Sequence, residues 1–93
     1  NGYFKVYNAY NYELLEKVHF QNNIKNGPFI IYQKCQFSDE ISYCPRITGN
    51  METSQFHGEI SFYTENNKQK IYKLVKKDLY IHGKLEKRLY IDL

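Results

Sequence analysis

The chain has 93 residues and a formal net charge of +3 at pH 7, and it contains ten tyrosines and six phenylalanines but no tryptophan. A chain of this length forms one domain at most, with a thin core, and no run of about 20 apolar residues is present that would cross a bilayer as a helix. Tyrosine packs its ring and keeps its hydroxyl in water, so this composition favours a thin, half-exposed sheet. Because the sequence begins Asn1-Gly2, we expect a processed chain or a fragment.

A short phrase built around glycine occurs four times. Three copies read NGYFKVY, NGPFIIY and HGEISFY, and a degenerate fourth reads HGKLEKR, so that the glycines are 25, 31 and 25 residues apart. Self-similarity at such a period is typical of repeat proteins. The phrase divides the single domain, residues 1–93, into units of about 1–25, 26–56 and 57–81 and a partial unit 82–93.

Each phrase predicts a β-strand with two different faces. Residues two apart point to the same face of a strand, and the positions two and four after glycine are apolar in three copies. These pairs are Phe4 and Val6, Phe29 and Ile31, Ile60 and Phe62, and finally Leu85 and Lys87. The position five after glycine, on the other face, is tyrosine in three copies: Tyr7, Tyr32 and Tyr63. We expect the glycine to provide a positive-φ entry into the strand.

Turns and second strands are predicted between the phrases. Asn8–Asn11 and Asn22-Asn23 have the composition of turns, and Lys77-Asp78 occupies the place of Asn22-Asn23 in the third unit. Leu14–Val18 and Ile71–Leu79 also fit the spacing of a helix. The repeat phase and the many β-branched and aromatic residues favour strands for both segments.

The middle unit is six residues longer than its neighbours, and the excess falls between Cys44 and Gln55. The proline, glycine and asparagine of this segment predict a loop or a bulged strand end. Loops that project from a repeat array often carry binding residues, and Arg46 and Met51 are the candidate contacts here. A spacer loop without a binding role is the alternative.

Cys35 and Cys44 flank a predicted hairpin turn that contains the acidic pair Asp39-Glu40. The pair is interpreted as a solvated turn rather than as catalytic carboxylates. The cysteines lie off register across this hairpin, so we expect two free, half-buried thiols, although a bridge of specific geometry stays open. Two cysteines leave the cellular compartment undetermined, with the cytoplasm favoured.

These features resemble the MORN-type repeat, especially its divergent bacterial variant: a glycine, an apolar or aromatic pair, a tyrosine, a polar turn, a second strand, and then Asn-Gly or His-Gly. The match covers nearly the whole chain from Gly2 onward. The familiar unit is shorter and begins Tyr-x-Gly, which this sequence lacks. The resemblance implies an all-β fold, an elongated single-layer antiparallel sheet of stacked β-hairpins. It also implies a binding or scaffolding module, and some members are described as antitoxin- or immunity-like.

The leading functional prediction is a non-enzymatic protein-binding module that uses a repeated aromatic face. Its candidate contacts are Tyr7, Tyr32 and Tyr63, since tyrosine is favoured at interface anchors. The alternative is that these residues stiffen the sheet as cross-strand contacts. We expect Leu85, Leu89 and Ile91 to form a closing strand, and a homodimer through the sheet edge is a further option.

A basic segment, residues 66–90, suggests a second kind of partner. It has eight cations and two anions, a net charge of +6, interleaved with tyrosines. Such a surface would bind an anionic lipid membrane or a nucleic acid, although lysines that solubilise the sheet and protect its edge would look the same. The candidate anion-binding residues are Lys70, Lys73, Lys76, Lys77, Lys84 and Arg88.

Catalytic and metal-binding patterns are not recognisable. His57 and His82 occupy the same repeat position, so they should lie two strands, about 10 Å, apart. That separation is too large for a single metal ion with ligands at about 2 Å, and His19 lies elsewhere in the repeat. The sequence therefore predicts no metal site, no cofactor and no enzymatic activity.

Overall fold

The computed structural model describes residues 2–35, 42–66 and 71–92, and these residues form one open antiparallel sheet. The strands are β1 Gly2–Tyr7, β2 Leu14–Gln21, β3 Ile24–Cys35, β4 Ser42–Glu52, β5 Gln55–Phe56, β6 Gly58–Asn66, β7 Ile71–Ile81 and β8 Lys84–Ile91. Their order is β1-β2-β3-β4-β6-β7-β8, with the short β5 paired to β4. The predicted all-β, single-layer hairpin architecture is confirmed, and the sheet measures 40 × 35 × 18 Å. The described residues contain no helix long and apolar enough to span a membrane.

Each full sequence unit supplies one principal hairpin: β1–β2, β3–β4 and β6–β7, and the partial unit supplies β8. The helical alternative is wrong, because the two ambiguous segments are strands β2 and β7. Asn22-Asn23 forms the predicted turn, with φ of 53° and 65°. Lys77-Asp78 does not, because it lies inside β7. The predicted closing strand that contains Leu85, Leu89 and Ile91 is β8, which pairs with β7 as expected.

The glycine of the second phrase does not begin its strand as predicted. Gly27 has the expected positive φ of 104°, but it lies inside β3, which already starts at Ile24 because Ile24 pairs with Gln21 across a tight turn. A Cβ atom at Gly27 would lie 3.1 Å from Nδ1 of His19. The glycine therefore provides room for a neighbouring side chain as well as an unusual backbone angle.

The core lies on the predicted apolar face of the central strands. Val18, Phe29 and Ile60 are almost completely buried, and Ile31 and Phe62 pack against them. This confirms the apolar columns in the second and third units. The equivalent residues at the two ends are half exposed, Phe4 at 51% and Leu85 at 54%, because no further strand covers them among the described residues. Burial of apolar area in the middle units is the main favourable term for this sheet.

A bulge repeats at one position of all three hairpins. The register shifts between the residues four and five places after the glycine: Val6 and Tyr7, Ile31 and Tyr32, and Phe62 and Tyr63. In each case the second strand carries one extra residue: Leu15, Arg46 and Val75. Bulges bend a strand and increase its twist, so this repeated irregularity curves the sheet in every unit.

Of the two alternatives predicted between Cys44 and Gln55, the loop is wrong and the bulged strand is confirmed, since β4 runs through to Glu52 with a bulge at Arg46 and only Thr53-Ser54 forms a turn. Gly49 explains why a strand fits here. A Cβ atom at this position would lie 2.5 Å from Cδ1 of Ile60, so glycine lets the core residue of the next unit pack onto the backbone. The proline sits at the bulge, where the ladder is already irregular.

Cys35 and Cys44 form a disulfide, which corrects the expectation of free thiols. The two residues are indeed off register, since Cys35 pairs with Ser42 and Cys44 pairs with Gln33. Their Cα atoms are nevertheless 6.0 Å apart, within the range that a disulfide spans. The predicted turn with Asp39-Glu40 lies outside the described residues.

Candidate protein-binding surface

The N-terminal hairpin exposes an unusual number of aromatic side chains. Within ten residues, the exposed fractions are 55% for Tyr3, 51% for Phe4, 51% for Tyr7, 96% for Tyr10 and 80% for Tyr12. The first three lie on β1 and the last two on the loop that follows it, and β1 lies at one end of the strand order with no neighbour on its outer side among the described residues. The hairpin thus combines apolar side chains with unpaired main-chain hydrogen-bonding groups.

The loop that presents Tyr10 and Tyr12 is held by asparagine side chains. Oδ1 of Asn8 accepts hydrogen bonds from the amides of Tyr10 at 2.8 Å and Asn11 at 3.3 Å. Oδ1 of Asn11 accepts one from the amide of Glu13 at 3.1 Å, and the Asn8 amide donates to the Glu13 carbonyl at 2.8 Å. Asparagine stabilises turns through such side-chain hydrogen bonds. The loop that carries the two tyrosines is therefore held in one conformation.

Contacts with β2 fix the aromatic rings of β1. The Tyr3 ring meets the His19 ring edge to face, with centroids 5.1 Å apart, and Nζ of Lys17 lies 4.9 Å from the centre of the same Tyr3 ring. Phe4 packs edge to face on Phe20 with centroids 5.2 Å apart. These cross-strand contacts restrain the half-exposed rings before any partner arrives.

The three tyrosines of the predicted aromatic face have unequal surroundings. Tyr63 stacks on Tyr72 with ring centroids 5.5 Å apart and planes 12° apart, and the hydroxyl of Tyr72 donates a hydrogen bond to the carbonyl of Pro45. Tyr32 is half-buried and pairs with Pro45 across the β3–β4 ladder. Tyr7 is the most exposed of the three. Tyr32 and Tyr63 therefore lie among structural contacts, whereas Tyr7 belongs to the N-terminal aromatic surface.

The two candidate contacts from the middle unit also differ. Arg46 is the extra, exposed residue of the second bulge, on β4. Met51 is half-buried and packs against the apolar core. A core role for Met51 follows, since β4 continues as a strand where the sequence predicted a loop.

Several of the candidate anion-binding residues form ion pairs with carboxylates of this chain. Lys73 pairs with Asp92, Lys76 pairs with Asp78 at 3.9 Å, and Arg88 pairs with Asp78 at 2.9 Å. The hydrogen bond and the charge of these carboxylates raise the pKa values of Lys73 and Arg88. Among the described candidates, Lys77 and Lys84 have no ion pair, and Lys70 lies outside the described residues.

Asp78 is buried, with 1% of its surface exposed, although the sequence predicted a turn at this position. Its carboxylate forms ion pairs with two of the cations that the sequence assigned to an anion-binding face, Lys76 and Arg88. Nζ of Lys76 also lies 4.5 Å from the centre of the Phe62 ring. Lys76 and Arg88 are therefore engaged in contacts within the fold, which makes them weaker candidates for binding an external anion.

The predicted distance between His57 and His82 is wrong. Their ring centroids lie 4.9 Å apart, because His57 directly precedes β6, His82 directly follows β7, and these two strands are neighbours that pair at this end through Gly58 and Tyr80. The turn that contains His82 also contacts β5. Its Gly83 amide donates to the carbonyl of Phe56 at 2.8 Å, and His82 has a positive φ of 47°. The two-strand spacing does not apply, because the turn before β8 is only two residues long and makes His82 the residue directly after β7, the neighbour of β6.

No protein-family model, curated protein or solved structure matches this chain. The likeness to MORN-type repeats therefore stands on the sequence phrase alone. Sequence reasoning selected Tyr7 but missed Tyr3, Phe4, Tyr10 and Tyr12 as surface residues. A signal was available in the stretch YNAYNY, residues 7–12, where three tyrosines alternate with turn-forming asparagines.

Proposed function

We propose that this chain is a non-enzymatic protein-binding module that holds an extended segment of a partner protein against the outer edge of β1. The observation that carries the proposal is the open β1 edge, flanked by five exposed aromatic residues. A partner segment in this position would continue the antiparallel sheet by one strand. The aromatic side chains of β1 and of the loop at residues 8–13 would pack against the side chains of that segment.

The general behaviour of exposed sheet edges supports binding by the addition of a partner strand. When a peptide adds to a sheet edge, main-chain hydrogen bonds supply affinity and side-chain pockets supply specificity. Tyrosine is enriched among the residues that dominate binding energy at interfaces. The rings of Tyr3 and Phe4 are already restrained by β2, and the loop is already ordered, so less conformational entropy is lost on binding.

The proposal includes the narrower roles that the resemblance implies. A scaffold would hold a constant partner at this edge, and an antitoxin- or immunity-like protein would hold a toxin. Both need the same surface, so the edge is tested first and the class of partner second. A sheet-edge homodimer would use the other open edge, β8, whose Leu85, Leu89, Tyr90 and Ile91 are exposed, or both edges together.

The experiment is a selection of peptide binders followed by affinity measurements. A displayed library of extended peptides is selected against the immobilised chain, and the Kd of each binder is measured by calorimetry. The double variant Tyr10→Ala, Tyr12→Ala and the single variant Tyr7→Ala are compared with the unchanged chain. Tyr90→Ala is the matched control, because Tyr90 is 45% exposed at the opposite edge. We expect weakening of about tenfold or more for the N-terminal variants, the effect of losing a substantial interface contact.

Two results would contradict the proposal. One is a selection that yields no binder above the background of an unrelated β-protein. The other is a set of binders whose Kd responds to Tyr90→Ala and not to the N-terminal variants, which would place binding at β8. Sedimentation of the chain alone tests the homodimer, and a dimer abolished by the N-terminal variants would identify the partner segment as a second copy of this chain.

A further inference from the structure

Three side chains with metal-ligating atoms meet at the end of the sheet opposite the loop at residues 8–13. Glu52 ends β4, His57 links β5 to β6, and His82 lies in the turn between β7 and β8. One ligand atom from each residue lies within 4.8 Å of the other two. Nε2 of His57 is 3.2 Å from a carboxylate oxygen of Glu52, and the two imidazole centroids are 4.9 Å apart.

The main chain fixes the segments that carry these residues. The amide of His57 donates to the carbonyl of Asn50 at 3.0 Å, and the amide of Gly83 donates to the carbonyl of Phe56 at 2.8 Å. The three ligands therefore come from backbone that is part of the sheet or is hydrogen-bonded to it. Their side chains stay partly accessible, with 35% of His57 and 48% of Glu52 exposed, so an ion and water can reach them.

We propose that Glu52, His57 and His82 form a binding site for a divalent transition-metal ion, with Zn²⁺ as the leading candidate. Two imidazole nitrogens and one carboxylate oxygen are donors that Zn²⁺ accepts, and water completes the coordination. Ca²⁺ and Mg²⁺ prefer all-oxygen sites and fit this set poorly. Ligand atoms around a tetrahedral Zn²⁺ lie about 3.3 Å apart. Side-chain rotations that move the three ligand atoms closer together by about 1.5 Å would bring them from at most 4.8 Å to that distance.

Metal binding changes the hydrogen bonds of the His57 ring. In the metal-free protein, Nδ1 accepts a hydrogen bond from the His82 amide at 3.3 Å, so a neutral ring carries its proton on Nε2 and donates it towards Glu52. When Nε2 binds the ion, the ring proton moves to Nδ1 and the contact with the His82 amide is given up. The ion then takes the place of the proton between His57 and Glu52.

The first test is calorimetric titration of the disulfide-bonded chain with Zn²⁺ alone in a buffer that does not chelate metals. The disulfide is verified by thiol assay, because reduced Cys35 and Cys44 would bind Zn²⁺ themselves. We expect one ion per chain and binding weakened about tenfold or more by His57→Gln or by His82→Asn. Asparagine is chosen at position 82 because it tolerates the positive φ. The matched control is His19→Gln, which lies outside the cluster and should leave binding unchanged.

A spectroscopic test needs no variant. Co²⁺ added to the unchanged chain should give intense visible bands of a low-coordinate nitrogen and oxygen site, and Zn²⁺ should displace it. Nitrogen NMR of the imidazoles should show the ring proton of His57 moving from Nε2 to Nδ1 as Zn²⁺ is added. Absence of both changes, or Zn²⁺ binding that survives in folded His57→Gln and His82→Asn variants, would overturn the proposal.

Discussion

The hydroxyl of Tyr72 on β7 donates a hydrogen bond to the carbonyl of Pro45 on β4, passing over the intervening strand β6. Its ring stacks on Tyr63 of that strand. One side chain therefore connects three neighbouring strands of the second and third units. It does so at the bulges of both hairpins, where ladder pairing is irregular. Tyr72 thus stabilises the junction between units at the point where the backbone ladder is least regular.

Removing this hydroxyl should weaken the sheet without disturbing its surface. We expect Tyr72→Phe to lower the free energy of unfolding by about 1 kcal/mol, the usual net contribution of a hydrogen bond. Tyr90→Phe is the control, because the Tyr90 ring is exposed at the β8 edge and should change stability little. Urea denaturation followed by circular dichroism measures both, and equal effects of the two substitutions would contradict a structural role for Tyr72.

Ionisation of Tyr72 should also make the stability of the protein depend on pH. Burial, and then the charge of Tyr63, raise the pKa of Tyr72 above the ordinary value of 10.0. A group whose pKa is raised on folding stabilises the protein fully below its unfolded pKa and loses that contribution as the pH rises through its folded pKa. We therefore expect urea midpoints to fall above about pH 10, with a shallower fall in Tyr72→Phe. Identical slopes for both proteins would show that Tyr72 does not contribute to alkaline unfolding.

Gly49 should not tolerate a side chain. A methyl group there would lie 2.5 Å from Cδ1 of buried Ile60 and 2.9 Å from the Glu59 carbonyl oxygen. We expect Gly49→Ala to destabilise the protein by about 1–3 kcal/mol through overpacking. Asn50→Ala, at the exposed neighbouring position, should stay within about 0.5 kcal/mol of the unchanged chain. Chemical denaturation of the two variants measures the difference, and a Gly49→Ala protein of undiminished stability would contradict the packing described here.

The disulfide should contribute substantially to so thin a domain. It closes a short loop, because Cys35 and Cys44 are nine residues apart. Loop-closure entropy for such a length corresponds to about 2–3 kcal/mol. We expect the thermal midpoint of the unchanged chain to fall on reduction with a phosphine, and Cys35→Ser, Cys44→Ser to match the reduced protein. A midpoint that does not respond to the reductant would contradict this contribution.

Much of the fold could be predicted from the repeated phrase. Alternation within each copy assigned Phe29 and Ile60 to one buried face, because strand geometry forces residues two apart onto the same side. The extent of β4 was missed because proline and glycine ordinarily interrupt strands. Here Pro45 sits at a bulge and Gly49 makes room for Ile60, two facts that depend on the neighbouring strand. Neither fact can be inferred from the composition of the β4 segment alone.

The sites were less predictable than the strands. Equivalent repeat positions place His57 and His82 two strands apart, whereas the two-residue turn before β8 puts His82 directly after β7, the strand that pairs with β6. The predicted tyrosine face combined Tyr7, which is open, with Tyr63, which stacks on Tyr72, because a repeat position does not specify exposure. Exposure depends on whether another strand lies alongside, and that requires the strand order.

The most direct test of the proposed binding edge is amide hydrogen exchange in a complex with a selected peptide. Strand addition forms new main-chain hydrogen bonds, so the outward-facing amides of β1, within Gly2–Tyr7, should become strongly protected on binding. The amides of β8, within Lys84–Ile91, should keep the exchange rates of the free chain. Protection confined to β8, or binding that leaves the β1 amides unchanged, would contradict the account.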